Sequence, residues 1–153
     1  MISQQARRER LAKANKAIEI IASYGRRFFY DSKIDHVARI EMDERGRLWW
    51  IDEYSFARIY MHNPGRWRGF THGGTMSDLA IHLRNYVMHG KLLPRHALYW
   101  PQHYCDGDLW GYGADMQIVR NKLHALGVCE RQDMARTGPY IAQSKKRATR
   151  NVT

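Results

Sequence analysis

The chain has little of what secreted, membrane-spanning or cofactor-dependent proteins are built from. Only two cysteines, Cys105 and Cys129, occur in 153 residues. That is too few for a disulfide framework, and it points to a reducing, cytoplasmic compartment. No run approaches the length needed to span a bilayer, so no membrane partner is expected. The opening MISQQARRERLAKANK lacks the apolar segment of a secretory signal. There is no G-x-S-x-G nucleophile elbow, no C-x-x-C and no H-x-x-x-H. These absences leave no esterase triad and no zinc cage to build on, so no cofactor and no metal are expected. No helix-turn-helix, zinc-finger or RNP-type signature is present either.

What is present is a globular composition. Hydrophobic residues make up 44% of the chain, which excludes a fully disordered protein. The length fits one domain with a core of its own. The net charge of +10 is unevenly placed. Residues 1–27 hold seven Lys/Arg against two Glu, residues 130–153 hold six against two acids, and residues 28–129 hold twelve against eleven. The centre is therefore nearly neutral and the ends are basic. Arg7, Arg8, Arg10, Arg26, Arg27, Lys145, Lys146, Arg147 and Arg150 form two electrostatic ends that would draw in nucleic acid or an acidic protein surface; simple solubility is the plainer reading.

Hydrophobic periodicity divides the chain into elements. Leu11, Ala14, Ile18 and Ile21 recur at helical spacing within a helix over 3–24, which Gly25 stops. Short strands are expected at 27–30 (RFFY), 37–42 (VARIEM), 47–52 (RLWWID) and 58–61 (RIYM). Their tight connections imply an antiparallel meander. A loop over 62–74 (HNPGRWRGFTHGG) leads to a helix at 75–89, with Thr75 and Asp78 as a capping-box-like start and Met76, Leu79, Leu83, Tyr86 and Val87 as its apolar stripe. Residues 91–112 read as irregular. A third helix spans 114–126, using Met116, Val119, Leu123 and Leu126. From Glu130 the pattern fails. The expected organisation is a single α+β domain over 1–129 and a basic tail over 130–153, disordered or ordered by a partner. The fold is a helix, a three- to four-stranded meander, then two helices covering the sheet.

Four constellations could carry function. Two glycines ahead of a helix make His72, Gly73, Gly74 and Thr75 a candidate anion site, although a turn followed by an N-cap explains the same residues. His103, Tyr104, Cys105, Asp106 and Asp108 crowd potential ligands together but lack a second half, so a polar turn is the default. His82 and His89 share a helix face and His96 follows, with no nucleophile or carboxylate at a recognisable spacing. Arg58, Arg66 and Arg68 interleave with Tyr60, Trp67 and Phe70, a mixture suited to base stacking or to interface anchors. Arg58, Arg66, Arg68 and Trp67 are thus the candidate partner-binding residues. The plainer reading puts Trp49, Trp50 and Trp67 in the core.

The segments RIYMH, WRGFTHGGT and CDGDLWGYG resemble small accessory proteins carried by proteobacterial plasmids, phages and integrative elements. The likeness extends over about residues 26–127. It implies a non-enzymatic inhibitor of a host nucleoprotein machine, as with anti-CRISPR proteins that block type I surveillance complexes. It assigns no role to any particular residue. The expected partner is a protein or nucleoprotein complex, with nucleic acid reached through the basic ends and a twofold homodimer as the oligomer. The alternatives are a nucleic-acid-binding accessory protein and a small metal-independent ribonuclease of the toxin type.

Overall fold

The computed structural model describes residues 3–98 and 108–130. Helix α1 (Gln4–Ser23) is followed by five short strands, β1 (Tyr30–Asp31), β2 (His36–Val37), β3 (Arg39–Met42), β4 (Leu48–Ile51) and β5 (Arg58–Tyr60). Helix α2 (Gly74–His89), a single 3-10 turn at Arg95–Ala97 and helix α3 (Ala114–Leu126) complete the described chain. The architecture is α+β, as the periodicity implies. The strands form two antiparallel sheets: the hairpin β1–β2 and the meander β3–β4–β5.

Helix α1 starts where Ser3 accepts the amide of Ala6 at 3.1 Å, an N-cap hydrogen bond. Its buried residues, Ala14, Ala17, Ile18, Ile21 and Ala22, lie against α2, α3 and β3. That stripe is used inside the chain, so a second copy cannot pair through it. Asn15 joins α1 to the edge strand β3. Its amide nitrogen donates to the Ile40 carbonyl at 2.9 Å, and its oxygen accepts the Ile40 amide at 2.7 Å. Ile40 is thereby satisfied on the side where a sheet edge would otherwise offer itself to another strand.

Alternation in the meander sorts its two faces. Ile40, Leu48, Trp50 and Ile59 point into the core with Met61, while Arg39, Glu41, Trp49, Arg58 and Tyr60 take the opposite positions. The register sets Trp49 between Glu41 and Tyr60. All five residues of the α2 stripe are buried, and Val119 and Leu123 anchor α3.

Three expectations need correction. The 27–30 segment is not a strand of the meander, because Arg27 and Phe29 have positive φ (52° and 68°) and bend the backbone out of extended geometry. Only Tyr30 and Asp31 pair, with Val37 and His36, so 37–42 splits between two sheets. Thr75 is not an N-cap. The helix begins one residue earlier, with Gly73 at the cap and no side-chain cap bond. Glu130, assigned to the tail by its polar context, is held by the fold: its amide donates to the Leu93 carbonyl at 2.8 Å and its carboxylate accepts the Arg95 amide at 3.0 Å. The remainder of the tail, residues 131–153, lies outside the described residues, as do His103, Tyr104, Cys105 and Asp106. Cys129 is buried, and burial pushes its thiol up to about 12, so it stays protonated at neutral pH.

Gly25 is the tightest backbone junction. It has φ +60°, and a Cβ there would stand 2.1 Å from the Trp110 carbonyl oxygen, the atom that accepts the Arg26 amide at 2.7 Å. Gly25→Ala is expected to destabilise the protein by about 2–4 kcal/mol, combining the left-handed backbone with overpacking. Urea unfolding of the variant checks this; a loss below about 0.5 kcal/mol would show that the 25–27 and 110–111 segments separate freely.

Candidate functional site

Two neighbouring structures are built around the turn between β4 and β5. One is buried and fixes a loop; the other is an open sheet face.

The buried structure starts with two adjacent acids, Asp52 and Glu53, both 0% exposed. One Asp52 oxygen accepts the amides of Tyr54 and Ser55, each at 3.0 Å, closing the turn. The other accepts the Thr71 amide at 2.9 Å, and the Thr71 hydroxyl donates as well. Burial alone would raise the Asp52 pKa, but the amides of Ser55, Thr71 and Tyr54 outweigh it and hold the carboxyl below its ordinary value. Glu53 reaches His72, whose Nε2 lies 2.5 Å from Oε2 in a hydrogen bond. The other Glu53 oxygen is buried without a hydrogen-bond partner. His36 donates from Nδ1 to the Glu53 carbonyl at 3.0 Å, bringing in the β1–β2 hairpin. Phe29 and Phe70 stand edge-on to the His72 ring at 5.0 and 5.6 Å. A carboxylate does therefore stand beside a histidine, but 19 residues away in sequence, where no local spacing rule finds it.

The candidate anion site takes a different form from the one expected. His72 is committed to Glu53, and Gly73, Gly74 and Thr75 are exposed. A buried carboxylate beside the loop is the wrong charge to favour a second anion there.

The open face carries Arg and aromatic side chains. The Arg58 guanidinium lies 3.9 Å from the centroid of the Trp49 ring, a close cation–π stack. Tyr60 packs beside Trp49 at 5.0 Å, and His62 beside Tyr60 at 5.1 Å. Trp49 is held in place by its indole N–H, which donates to Asp43 at 2.8 Å. Asp43 also pairs with Arg47 at 2.9 Å; its carboxyl is held far below the carboxylate range, first by the Trp49 bond and then by Arg47 and Arg45. Arg39 pairs with Glu41 at 2.7 Å. Arg58 is exposed and, among the described residues, makes no ion pair. Burial lowers the His62 pKa, so His62 is neutral at pH 7, and its Nε2 accepts the Leu48 amide at 3.2 Å.

Of the sequence candidates, Arg58 belongs to this face. Arg66 and Arg68 are exposed on the 62–74 loop. Trp67 between them is not a surface anchor: it is 4% exposed, packs on Phe70 and donates its indole N–H to the Asn63 carbonyl at 3.1 Å. Trp49, grouped with the core tryptophans in the plainer reading, faces the other way and is the missed residue. The two-residue period of β4 contained that signal, since adjacent tryptophans in a strand must point to opposite faces.

The basic N-terminal end is partly consumed by the fold. Arg7 donates from Nε to the Met88 carbonyl, and Arg10 to the carbonyls of Tyr86 and Val87 at 2.9 and 3.0 Å. Both cap the C-terminal end of α2, where cations are favoured. Arg27 donates to the Ala22 carbonyl and stacks on Tyr30. Arg8 and Arg26 are exposed, and residues 145–150 lie outside the described part.

These features define a small α+β protein with one sheet face in its core and the other presenting a locked Arg–Trp–Tyr group. The chain belongs to the YoqU family, whose model matches residues 4–148. Among curated proteins it is similar to the SPbeta prophage-derived uncharacterized protein YoqU of Bacillus subtilis (strain 168), with 31% identity over 85 residues. That match covers 54% of this chain and 61% of the relative, so the chain spans less than two thirds of the relative's length. No solved structure matches.

Two predictions test the buried acids. His72→Ala leaves the Glu53 side chain buried with neither oxygen hydrogen-bonded, and is expected to cost about 1–3 kcal/mol. Glu53→Gln keeps an acceptor for His72 and should cost less; equal losses in chemical denaturation would show that the pair is only packing. Asp52→Asn tests charge. A carboxyl whose folded pKa is depressed contributes stability that is complete above its unfolded value, about 3.9, and fades as pH falls through the folded value. The stability gap between wild type and Asp52→Asn should therefore be widest at pH 7 and narrow below about pH 4. A gap of constant size across that range would remove the ionised carboxylate as its cause.

Proposed function

We propose that this protein is a non-enzymatic accessory protein of a mobile element that acts by docking on a host nucleoprotein machine through the Arg58–Trp49–Tyr60 face. The observation that carries this reading is the Arg58 guanidinium stacked on Trp49 beside Tyr60, on the side of the meander away from the core. Arginine, tryptophan and tyrosine are the residues that most often dominate protein interfaces, and rigid anchors lose little entropy on binding. Here Asp43 and the cation–π stack already hold the group in one arrangement. The mobile-element origin is supported by the family relationship, since the similar Bacillus subtilis protein is prophage-derived. The sequence resemblance directs the first assay to the type I CRISPR surveillance complex as target. The face has no large excess of positive charge, because Arg39 and Arg47 are paired with Glu41 and Asp43. That favours a protein surface over a bare phosphate backbone, which would call for unpaired cations.

The test is a pull-down and interference assay with purified type I complex, using wild type, Arg58→Ala and an Arg66→Ala/Arg68→Ala double variant, each first shown to be folded by circular dichroism. Loss of a central anchor typically costs about 2 kcal/mol or more, so Arg58→Ala should weaken binding about thirtyfold. The loop variant should have a smaller effect, because Arg66 and Arg68 flank a core residue and are not stacked on the aromatic group. Folded Arg58→Ala protein that binds as wild type would remove this face from the mechanism. Steeply salt-dependent binding to plain DNA that falls with Arg58→Ala would instead assign the face to nucleic acid.

A further inference from the structure

Where α1 packs on α3, the two helices leave an open groove of about 630 Å³ between them. Its floor is apolar. Ile20 and Tyr24 from the end of α1, Leu126 of α3 and Val37 of β2 are partly buried against the core and line the groove with the rest of their surface. Its lip is cationic. Lys122 lies 5.7 Å from the centroid of the Tyr24 ring, and Glu19, the acid that lines the groove among the described residues, pairs with Lys16 at 3.4 Å. The chain leaves the described part close by. Leu126 lines the groove, and Glu130, four residues on, is fixed by its bonds to the Leu93 carbonyl and the Arg95 amide. Four residues span at most about 14 Å, so residue 131 starts within that distance of the groove.

We infer that this groove is the docking site for the chain's own C-terminal segment around Tyr140 and Ile141. The longest uncharged stretch after Glu130 is 137–144, TGPYIAQS, and Tyr140 and Ile141 are its large apolar side chains. From Glu130 to Tyr140 the chain reaches up to about 35 Å. The groove residues of α1, from Lys16 to Ser23, extend over only about 11 Å of helix, so the whole groove is within range. The family model matches residues 4–148, so the shared sequence runs past Glu130, through this stretch and as far as the basic run Lys145–Arg147. A trailing segment with no contact to the domain is free to vary instead. Burying a tyrosine and an isoleucine on an apolar floor supplies the driving force, and Pro139, with its φ already fixed, lowers the entropy lost on docking. The cationic lip repels Lys145, Lys146 and Arg147, so the docked part ends before them. A second copy is the poorer occupant, because nine residues line the groove against about 20–30 on each side of a standard interface. This inference is independent of the Arg58–Trp49–Tyr60 face.

The experiment is limited proteolysis of the full chain by chymotrypsin, with cleavage after Tyr140 followed by mass spectrometry. A synthetic peptide of residues 131–148 supplies the rate for the undocked segment. When the docked and open forms exchange faster than cleavage, the rate reports the open fraction, so the full chain should be cut at least about tenfold more slowly than the peptide. Ala125 lines the groove and is exposed on α3. Ala125→Trp should therefore fill the groove without disturbing the core and bring the rate close to that of the peptide, while Ala125→Ser should leave it at the wild-type value. Circular dichroism verifies that each variant is folded, and should Ala125→Trp fail to fold, Ala125→Arg takes its place. Cleavage of the wild-type chain as fast as the peptide overturns the inference. Protection that persists in the folded, groove-filled variant overturns it too, because the segment would then be held elsewhere. Protection that disappears on dilution of the protein would place the segment in the groove of a second copy and overturn docking within one chain.

Discussion

The pair of acids Asp52 and Glu53 organises most of what distinguishes this fold. Two buried carboxylates side by side are costly unless each is neutralised by donors. Asp52 meets that requirement with backbone amides and the Thr71 hydroxyl, and Glu53 meets it at one oxygen with His72. The consequence is geometric. Thr71 and His72 are pinned to the β4–β5 turn, so the chain must enter α2 directly afterwards. The helix then starts at Gly74 with glycine at its cap, where conventional capping would have used Thr75. His36 and the Tyr54 hydroxyl, which donates to the Tyr30 carbonyl, attach the β1–β2 hairpin to the same turn.

A second set of polar contacts accounts for the use of charge. The N-terminal arginines are numerous enough to suggest an electrostatic arm, yet Arg7 and Arg10 are spent on the last carbonyls of α2. Asn15 uses both ends of its amide on one residue of the edge strand. In each case α1 acts as a central post, bound on one side to the sheet and on another to α2. The positive charge left over is distributed: Arg39 and Arg47 are paired with acids, and Arg58 is stacked on an aromatic ring. A surface with its charges paired or stacked in this way exerts little long-range attraction.

Much of the architecture was legible in the sequence. The 3.6-residue stripes of α1, α2 and α3, and the left-handed glycines Gly90 and Gly127 that end α2 and α3, depend on local geometry alone, whereas α1 ends on an extended Tyr24 one residue before Gly25. So does the meander, whose short connections allow only antiparallel neighbours. The strand pattern at 27–30 misled because positive φ at Arg27 and Phe29 is imposed by surroundings; neither residue type favours it. Trp67 misled because its arginine neighbours are exposed while the indole itself fills the core.

The sequence by itself therefore determined the three helices with the buried stripe of α2, the β3–β4–β5 meander, the order of these elements and the neutral centre between basic ends, since these follow from periodicity, turn chemistry and composition. Tertiary structure alone decided which distant side chains meet: Glu53 with His72, Asp52 with Thr71, Asn15 with Ile40, Arg58 with Trp49, and His82 with His96. The physical reason is that each contact is closed by the packing of separate elements, and the strength of a buried polar pair depends on the exclusion of water around it. Neither packing nor exclusion is encoded in the spacing of the residues concerned.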